Sequence, residues 1–251
     1  MWHHIRAVRN NKNIVIIILL GVTLLLAINN FIEASDSRLH ISFLDVGQGD
    51  SIYIRGPRHG NILIDGGPGK EVLRSLASQE AFAGGVLDYV IATHSDSDHV
   101  AGLLEVCRKY KIRTLLHNSF DLNKDYMQSL LKCIDDQAGS KVMVGSGDGL
   151  DLGGGAVLSF LSPSIDDIGS VSILDNNSSS IVSMLSYGSH KFLLMADSPR
   201  SVERDISLRY RSEIEKQVTV LKAGHHGSDT SSSEEFIKLI RPTYTIISAG
   251  N

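Results

Sequence analysis

The ten residues Thr93 to Gly102, THSDSDHVAG, place two histidines and two aspartates within six positions. Imidazole nitrogen and carboxylate oxygen are donors that suit zinc, manganese or iron. His94 and Asp96 are two apart, so in an extended segment their side chains point to the same side. Asp98 and His99 are neighbours and would diverge along a strand, whereas a helix opening near Asp98 supplies the turn that brings them together. The stretch reads as two ligand pairs flanking a strand-to-helix bend. The same letters have a metal-free reading, because serine and aspartate before an apolar helix cap its N-terminus and Asp98 is favourable there without an ion.

Further segments carry the same kind of donor at the same kind of place. Asp197 closes the apolar run KFLLMA, His225 and His226 of GHHGS close VTVLKA, and Asp65 closes NILI. Four strand ends of this type are more than capping accounts for, and a divalent-metal site is the expectation. His117 also ends a strand. The glycines of DVGQGD (Asp45 to Asp50) are those of a phosphate loop, but no helix comes after them to complete one, so a tight turn supporting the site is expected.

The elements that must position these residues are short. LHISFLDV, SIYIR and NILID read as an antiparallel meander, and LDYVIA as a buried strand running into the first motif. HVAGLLEVCRKY is helical by its three- and four-residue apolar steps. Helices are also expected from Pro68 to Ser78, Lys124 to Ile134, Arg200 to Glu215 and near SEEFIKLI, with strands at RTLLH, KVMV, AVLSFLS, on both sides of Gly188-Ser189, at VTVLKA and at TYTIIS. Strand meanders with intervening helices imply two sheets face to face with helices outside.

The motifs FLDVGQGDSIYI, ILIDGG, THSDSDHVAGL, NNSSSIVSMLSYGSHKFLLMAD and LKAGHHGSDTSSSEEFIKLIRPTYTIIS, in that order, resemble the metallo-β-lactamase superfamily, and within it the branch of the ComEC hydrolase domain. The resemblance implies an α/β fold, a four-layer αββα sandwich, over residues 39–251, and two divalent metal ions, zinc or manganese. It implies His94, Asp96, Asp98, His99, Asp197 and His226 as metal ligands, with Asp197 bridging, and Asp98 and His225 as catalytic. Asp96 stands where most of the superfamily has histidine, which makes that position a harder donor and brings manganese into contention. Asn177 stands where a further family histidine is usual, and is expected to contact substrate or water. Asp65 is expected to hold the metal loop by hydrogen bonds, Gly227 to let the backbone pass close to the ligand, and Ser228 to cap the next turn.

The implied reaction is metal-dependent hydrolysis of a phosphoester, in which a metal-bridging hydroxide attacks, Asp98 orients it and His225 offsets charge on the transition-state oxygens. DNA is the expected substrate by resemblance. A small or surface-polymer ester such as phosphorylcholine is the alternative, and a non-catalytic metal-binding module is the opposing class. The 24 basic and 28 acidic side chains, net charge −4, lack the basic excess of a protein that grips phosphate backbones by charge alone. No protein partner is evident.

Before this domain, residues 1–13 are basic and residues 14–32 form an apolar segment, read as a signal anchor or a signal peptide cleaved after Ala34. Its uninterrupted core of about 15 residues rises roughly 22 Å as a helix, short of a bilayer's ~30 Å. Arg6, Arg9 and Lys12 on its N-terminal side place the chain beyond Ser35 on the extracytoplasmic face, anchored or secreted. Cys107 and Cys133 sit in predicted helices with apolar neighbours and are expected as unlinked buried thiols. Ending at IISAGN, the sequence reads as cut short of a histidine that relatives carry.

Overall fold

A computed structural model describes residues 12–25, 38–58, 60–79, 82, 85–118, 122–164 and 176–250. Arg6 and Arg9, the end of the apolar segment, the Ala34 cleavage position and Asn251 lie outside the described residues. The chain divides into two compact units, Met1–Arg38 and Leu39–Asn251. In the first, residues 12–25 form a helix, α1, whose apolar side chains from Ile14 to Leu25 are exposed. No helix among the described residues is long and apolar enough to cross a membrane.

The second unit holds two six-stranded sheets. The first runs β1 (His40–Phe43), β2 (Ile52–Arg55), β3 (Asn61–Ile64), β4 (Val86–Ala92), β5 (Lys111–His117) and β6 (Ser140–Met143), in that spatial order. β1, β2 and β3 pair antiparallel, as the meander predicts, while β3 to β6 are parallel. The second runs in reverse order, β12 (Tyr244–Ile246), β11 (Val220–Lys222), β10 (His190–Leu194), β9 (Val182–Tyr187), β8 (Ala156–Ser162) and β7 (Gly149–Asp151). β7, three residues long and flanked by glycine, carries no periodicity that a sequence reading could detect.

Period-two alternation decides which side chains go where. Ile52 and Ile54 of β2 face Leu158, Phe160 and Leu185 of the opposite sheet in a shared core. Tyr53 between them faces the other way, with Leu63, Val90 and Leu115, onto helices α2 (Glu71–Ala77), α3 (Ser97–Lys109) and α4 (Asp125–Asp136). On the far side, Val182, Met184, Leu193 and Leu221 pack against Val202, Ile206, Phe236 and Ile240 from α5 (Arg200–Arg209) and α7 (Glu234–Ile240). The layers are helix, sheet, sheet, helix.

Two expectations need correction. The helix expected from Arg200 to Glu215 is two, because the backbone leaves helical geometry at Tyr210 before α6 (Arg211–Ile214). Cys107 and Cys133 form a disulfide that joins α3 to α4, with Cα atoms 6.4 Å apart. Apolar neighbours in each helix suggested separate thiols, but those neighbours are the packing that α3 and α4 make with each other.

Candidate metal centre

Most of the histidines and aspartates of interest come after the carboxyl end of a parallel strand, where α/β sheets leave their crevice. Asp65 follows β3, His94 follows β4, Asp197 follows β10, and His225 and His226 follow β11. Both sheets bring these ends to one edge, so residues more than 100 positions apart meet. His94 Nε2 is 3.9 Å from Asp197 Oδ2, and His99 Nε2 is 3.3 Å from Asp197 Oδ1. His226 Nε2 lies 3.4 Å from Asp197 Oδ2 and 3.3 Å from Asp98 Oδ2.

Three imidazoles are each held by Nδ1 and left open at Nε2. Asp65 Oδ2 holds His99 Nδ1 at 2.7 Å, Thr93 Oγ1 lies 3.1 Å from His94 Nδ1, and the Ser248 carbonyl lies 2.9 Å from His226 Nδ1. The Nε2 atoms of His94, His99 and His226, with Asp197 Oδ1, are buried and lack a hydrogen-bond partner among the described residues. In folded proteins generally, buried polar atoms nearly always find a hydrogen-bond partner. A cation is what this set fits, since imidazole and carboxylate are metal donors and a partner on the second ring nitrogen fixes the tautomer. Among the described residues, the groups whose donor atoms converge for a metal are His94-His99-Asp197, Asp98-His99-His226, Asp50-Asp65-His99 and Asp50-Asp197-His226.

Asp65 does what a supporting carboxylate should: it also accepts from Thr93 N at 2.9 Å and Thr93 Oγ1 at 2.7 Å, tying the β3 end to the β4 end. α3 starts at Ser97, with Asp96 as its N-cap and Asp98 in its first turn. Loop and helix approach so closely that a Cβ on Gly102 would overlap the Gly66 carbonyl. Backbone bonds stitch that contact, from Gly66 N to His99 O at 2.8 Å and from Gly102 N to Gly67 O at 2.9 Å.

Four residues here adopt left-handed backbone that non-glycine residues rarely take: Asp65, Ala196, His225 and His226. Such strain, about 1–3 kcal/mol per residue, gathers where side-chain direction matters more than stability. The GHHG turn, Gly224–Gly227, uses it to send consecutive histidines different ways. His226 enters the cluster, its side chain 8% exposed, while His225 stays at the rim at 33%, with Nε2 3.8 Å from Asp197 Oδ2 and Nδ1 3.0 Å from Thr230 Oγ1. Gly227 has φ +82°, with Ile247 against it, and Ser228 Oγ accepts from Thr230 N at 3.3 Å, shaping the turn beyond.

The buried charges shift one another. Burial opposes charge on His99, but Asp65 and Asp197 outweigh it and push the imidazole up to about 10. Burial also opposes charge on His226, where Asp197, Asp50 and Asp98 raise it to about 11. Asp197 resists ionisation by burial, yet His226 and His99 hold it well below the usual carboxylate range. A hydrogen bond from His226 lowers Asp98.

Not every expected residue joins the cluster. Asp96 is in none of the converging groups; its Oδ2 is 3.4 Å from His94 Nε2, but its Oδ1 accepts from Lys124 Nζ at 2.6 Å. Near Asn177 it is Asn176 that reaches inward, accepting from Ser95 Oγ at 2.9 Å. His117 Nδ1 lies 2.6 Å from the carbonyl of Asn118, and the residue is in none of the converging groups. Asp50, read as part of a supporting turn, is buried among the donors and paired with the buried Lys222. Its signal lay in DVGQGD, whose last aspartate precedes a strand as Asp65 follows one.

The sandwich with its donors at one edge is matched by sequence: residues 44–132 fit the family model of the Metallo-beta-lactamase superfamily. Over these residues the chain is similar to that superfamily. It is 29% identical over 229 residues to ComE operon protein 3 of Bacillus subtilis (strain 168), covering 84% of this chain and 28% of that one. It is 31% identical over 243 residues to Recombination protein 2 of Haemophilus influenzae, covering 93% and 26%. The chain thus spans about a quarter of the length of these relatives. Among solved structures, the metallo-β-lactamase fold protein YhfI from Bacillus subtilis superposes with a TM-score of 0.55 at 12% identity, covering 84% of this chain and 86% of that one. The chain has the metallo-β-lactamase fold and is similar in sequence to ComE operon protein 3 and Recombination protein 2.

Proposed function

We propose that the chain is a metal-dependent phosphodiesterase of nuclease type. The observation that carries it is the set of three buried Nε2 atoms and one Asp197 oxygen, without hydrogen-bond partners among the described residues and turned toward one another. Asp98, His99, Asp197 and His226 would hold one divalent ion, and His94 with Asp197, joined by Asp96 if it leaves Lys124, would hold a second. Zinc or manganese, if bound there, would lower the pKa of water toward neutrality and offset charge on attacking and departing oxygens.

The chain's own residues do the rest. The buried side, His94, His99 and Asp197, excludes water from behind, while Asp98 and His225, about a third exposed, face the opening. Asp98 takes the proton of the attacking water. His225, its Nδ1 tied to Thr230, presents Nε2 to a phosphoryl oxygen of the substrate. Gly227 keeps the rim low beside His226.

DNA is favoured as the phosphodiester because one of the matched relatives is named as a recombination protein. Placement on the extracytoplasmic side, through the apolar segment that includes α1, is supported by the Cys107–Cys133 disulfide, which forms and persists in oxidising compartments. The test is to assay the full chain with zinc or manganese on single-stranded DNA, duplex DNA and a simple phosphodiester. Metal-dependent cleavage of DNA is expected. Cleavage of the simple ester alone overturns the nuclease reading, and less than one equivalent of metal after reconstitution points to a non-catalytic module.

A further inference from the structure

The loop from Asp45 to Asp50 has no task in the proposed reaction, yet it ends in a charge with no access to water. Asp50 is 2% exposed and pairs with Lys222, 0% exposed, across 172 positions of sequence. A buried ion pair is weak evidence for stability, because desolvation cancels much of the attraction. The geometry gives this one another use. Asp50 turns Oδ2 to Lys222, while its Oδ1 has no hydrogen-bond partner among the described residues and stands 3.5 Å from His226 Nδ1.

His226 needs holding. Its backbone is left-handed, with φ 54°, so strand geometry does not aim its ring. The loop grips its surroundings: Gln48 Oε1 accepts from Gly250 N at 3.0 Å, two residues past the Ser248 carbonyl that touches His226. Gly49 lies so near the Asp98 carbonyl that a Cβ would overlap it. One loop therefore touches both Asp98 and His226.

We propose that Asp50 is a positioning residue for His226, with Lys222 as its buried counter-charge; this rests on the proposal that the centre holds metal. Nδ1 already meets the Ser248 carbonyl at 2.9 Å, and the carboxylate beside it adds negative charge that would make Nε2 the stronger donor toward an ion held with Asp98 and Asp197. Lys222, buried beside Oδ2, fixes the orientation of the carboxylate so that Oδ1 faces His226.

The test compares the full-length protein with Asp50→Asn and with the double variant Asp50→Asn/Lys222→Met. Zinc and manganese affinities are measured by competition with a chromogenic chelator, and the metal-free proteins are melted thermally. Asp50→Asn should weaken binding of one ion by about 10- to 100-fold. The double variant, with no unpaired buried charge, should melt no lower than the single variant and keep the same metal defect. Wild-type affinity in the double variant overturns the proposal and leaves the pair as packing. No metal binding by the unaltered protein overturns the metal centre itself.

Discussion

Lys124 Nζ donates to Asp96 Oδ1 at 2.6 Å, and the other oxygen of Asp96 stands 3.4 Å from His94 Nε2. One carboxylate is shared between an ammonium and the nearest ligand candidate, so the two halves of the centre are unequal. Asp98, His99 and His226 converge without Asp96; on the other side His94 converges with His99 and Asp197, and Asp96 can add a donor there only by leaving Lys124. Both partners are more than a third exposed, and such a pair is worth at most about 1 kcal/mol. Lys124→Ala should therefore tighten the weaker ion by no more than about fivefold. Asp96→His should shift its preference from manganese toward zinc, because nitrogen replaces oxygen. Calorimetric titration with each metal checks both, and two equal sites in the unaltered protein would count against the inequality.

Asp197 contacts His94, His99, His225 and His226 from one carboxylate. Asp197→Ala should remove metal-dependent phosphodiesterase activity, by about 1000-fold or more, and lower bound metal in the purified protein. Elemental analysis beside the rate separates the two effects. Retained metal-dependent activity would sink the assignment.

The metal-free protein should show a pH dependence set by the same charges. His99 and His226 are raised from 6.5 to about 10 and about 11, so their contribution to stability is full below about 6.5 and is lost as pH rises through 10 to 11. Asp197 is lowered from 3.8, so its contribution is present above that value and is lost as pH falls through the depressed value. Metal-free stability should accordingly be greatest between about pH 4 and 6.5. At pH 7 both imidazoles carry a proton that an ion must displace. Metal affinity should rise with pH, and calorimetry in two buffers of different ionisation enthalpy should find close to two protons released. Release near zero would show that the imidazoles are already neutral.

The disulfide holds the ligand helix α3 to α4 across 26 positions. Closing a loop of that length stabilises by about 3 kcal/mol in the chain-entropy account. Replacing Cys107 and Cys133 with serine, or adding reductant, should lower the melting temperature of a domain this size by roughly 6–12 °C. An unchanged melting curve in reductant would mean that the bond contributes nothing in solution.

The sandwich and most of the centre were legible because strand alternation and strand-end donors are local signals. His94, Asp98, His99, Asp197 and His226 each end a strand or open a helix, so their convergence followed once two sheets were inferred. Three features were hidden for one shared reason: they are pairings across distance. Asp96 with Lys124, Asp50 with Lys222, and Cys107 with Cys133 depend on which segments meet, and no periodicity in either partner reports that. The left-handed turn at His225 and His226 was hidden differently, since only a few per cent of non-glycine residues take that backbone, histidine more readily than most, and tertiary contacts decide which do.

Gly102 tests whether close packing of loop on helix holds the ligands in place. It sits in α3 three residues after His99, and a Cβ there would overlap the backbone oxygen of Gly66, which cannot swing aside as a side chain can. Glycine inside a helix costs about 1 kcal/mol relative to alanine, so on propensity alone Gly102→Ala should stabilise. The contact opposes that: α3 must move away from the loop of Asp65, Gly66 and Gly67, at a cost of about 1–3 kcal/mol. Moving α3 carries Asp98 and His99 away from Asp197, while Asp65 loses its 2.7 Å hold on His99. The expected outcome is a lower melting temperature together with weaker metal binding. A rise in melting temperature with unchanged metal affinity would show that propensity wins and that the approach of Gly66 to Gly102 does not position the ligands.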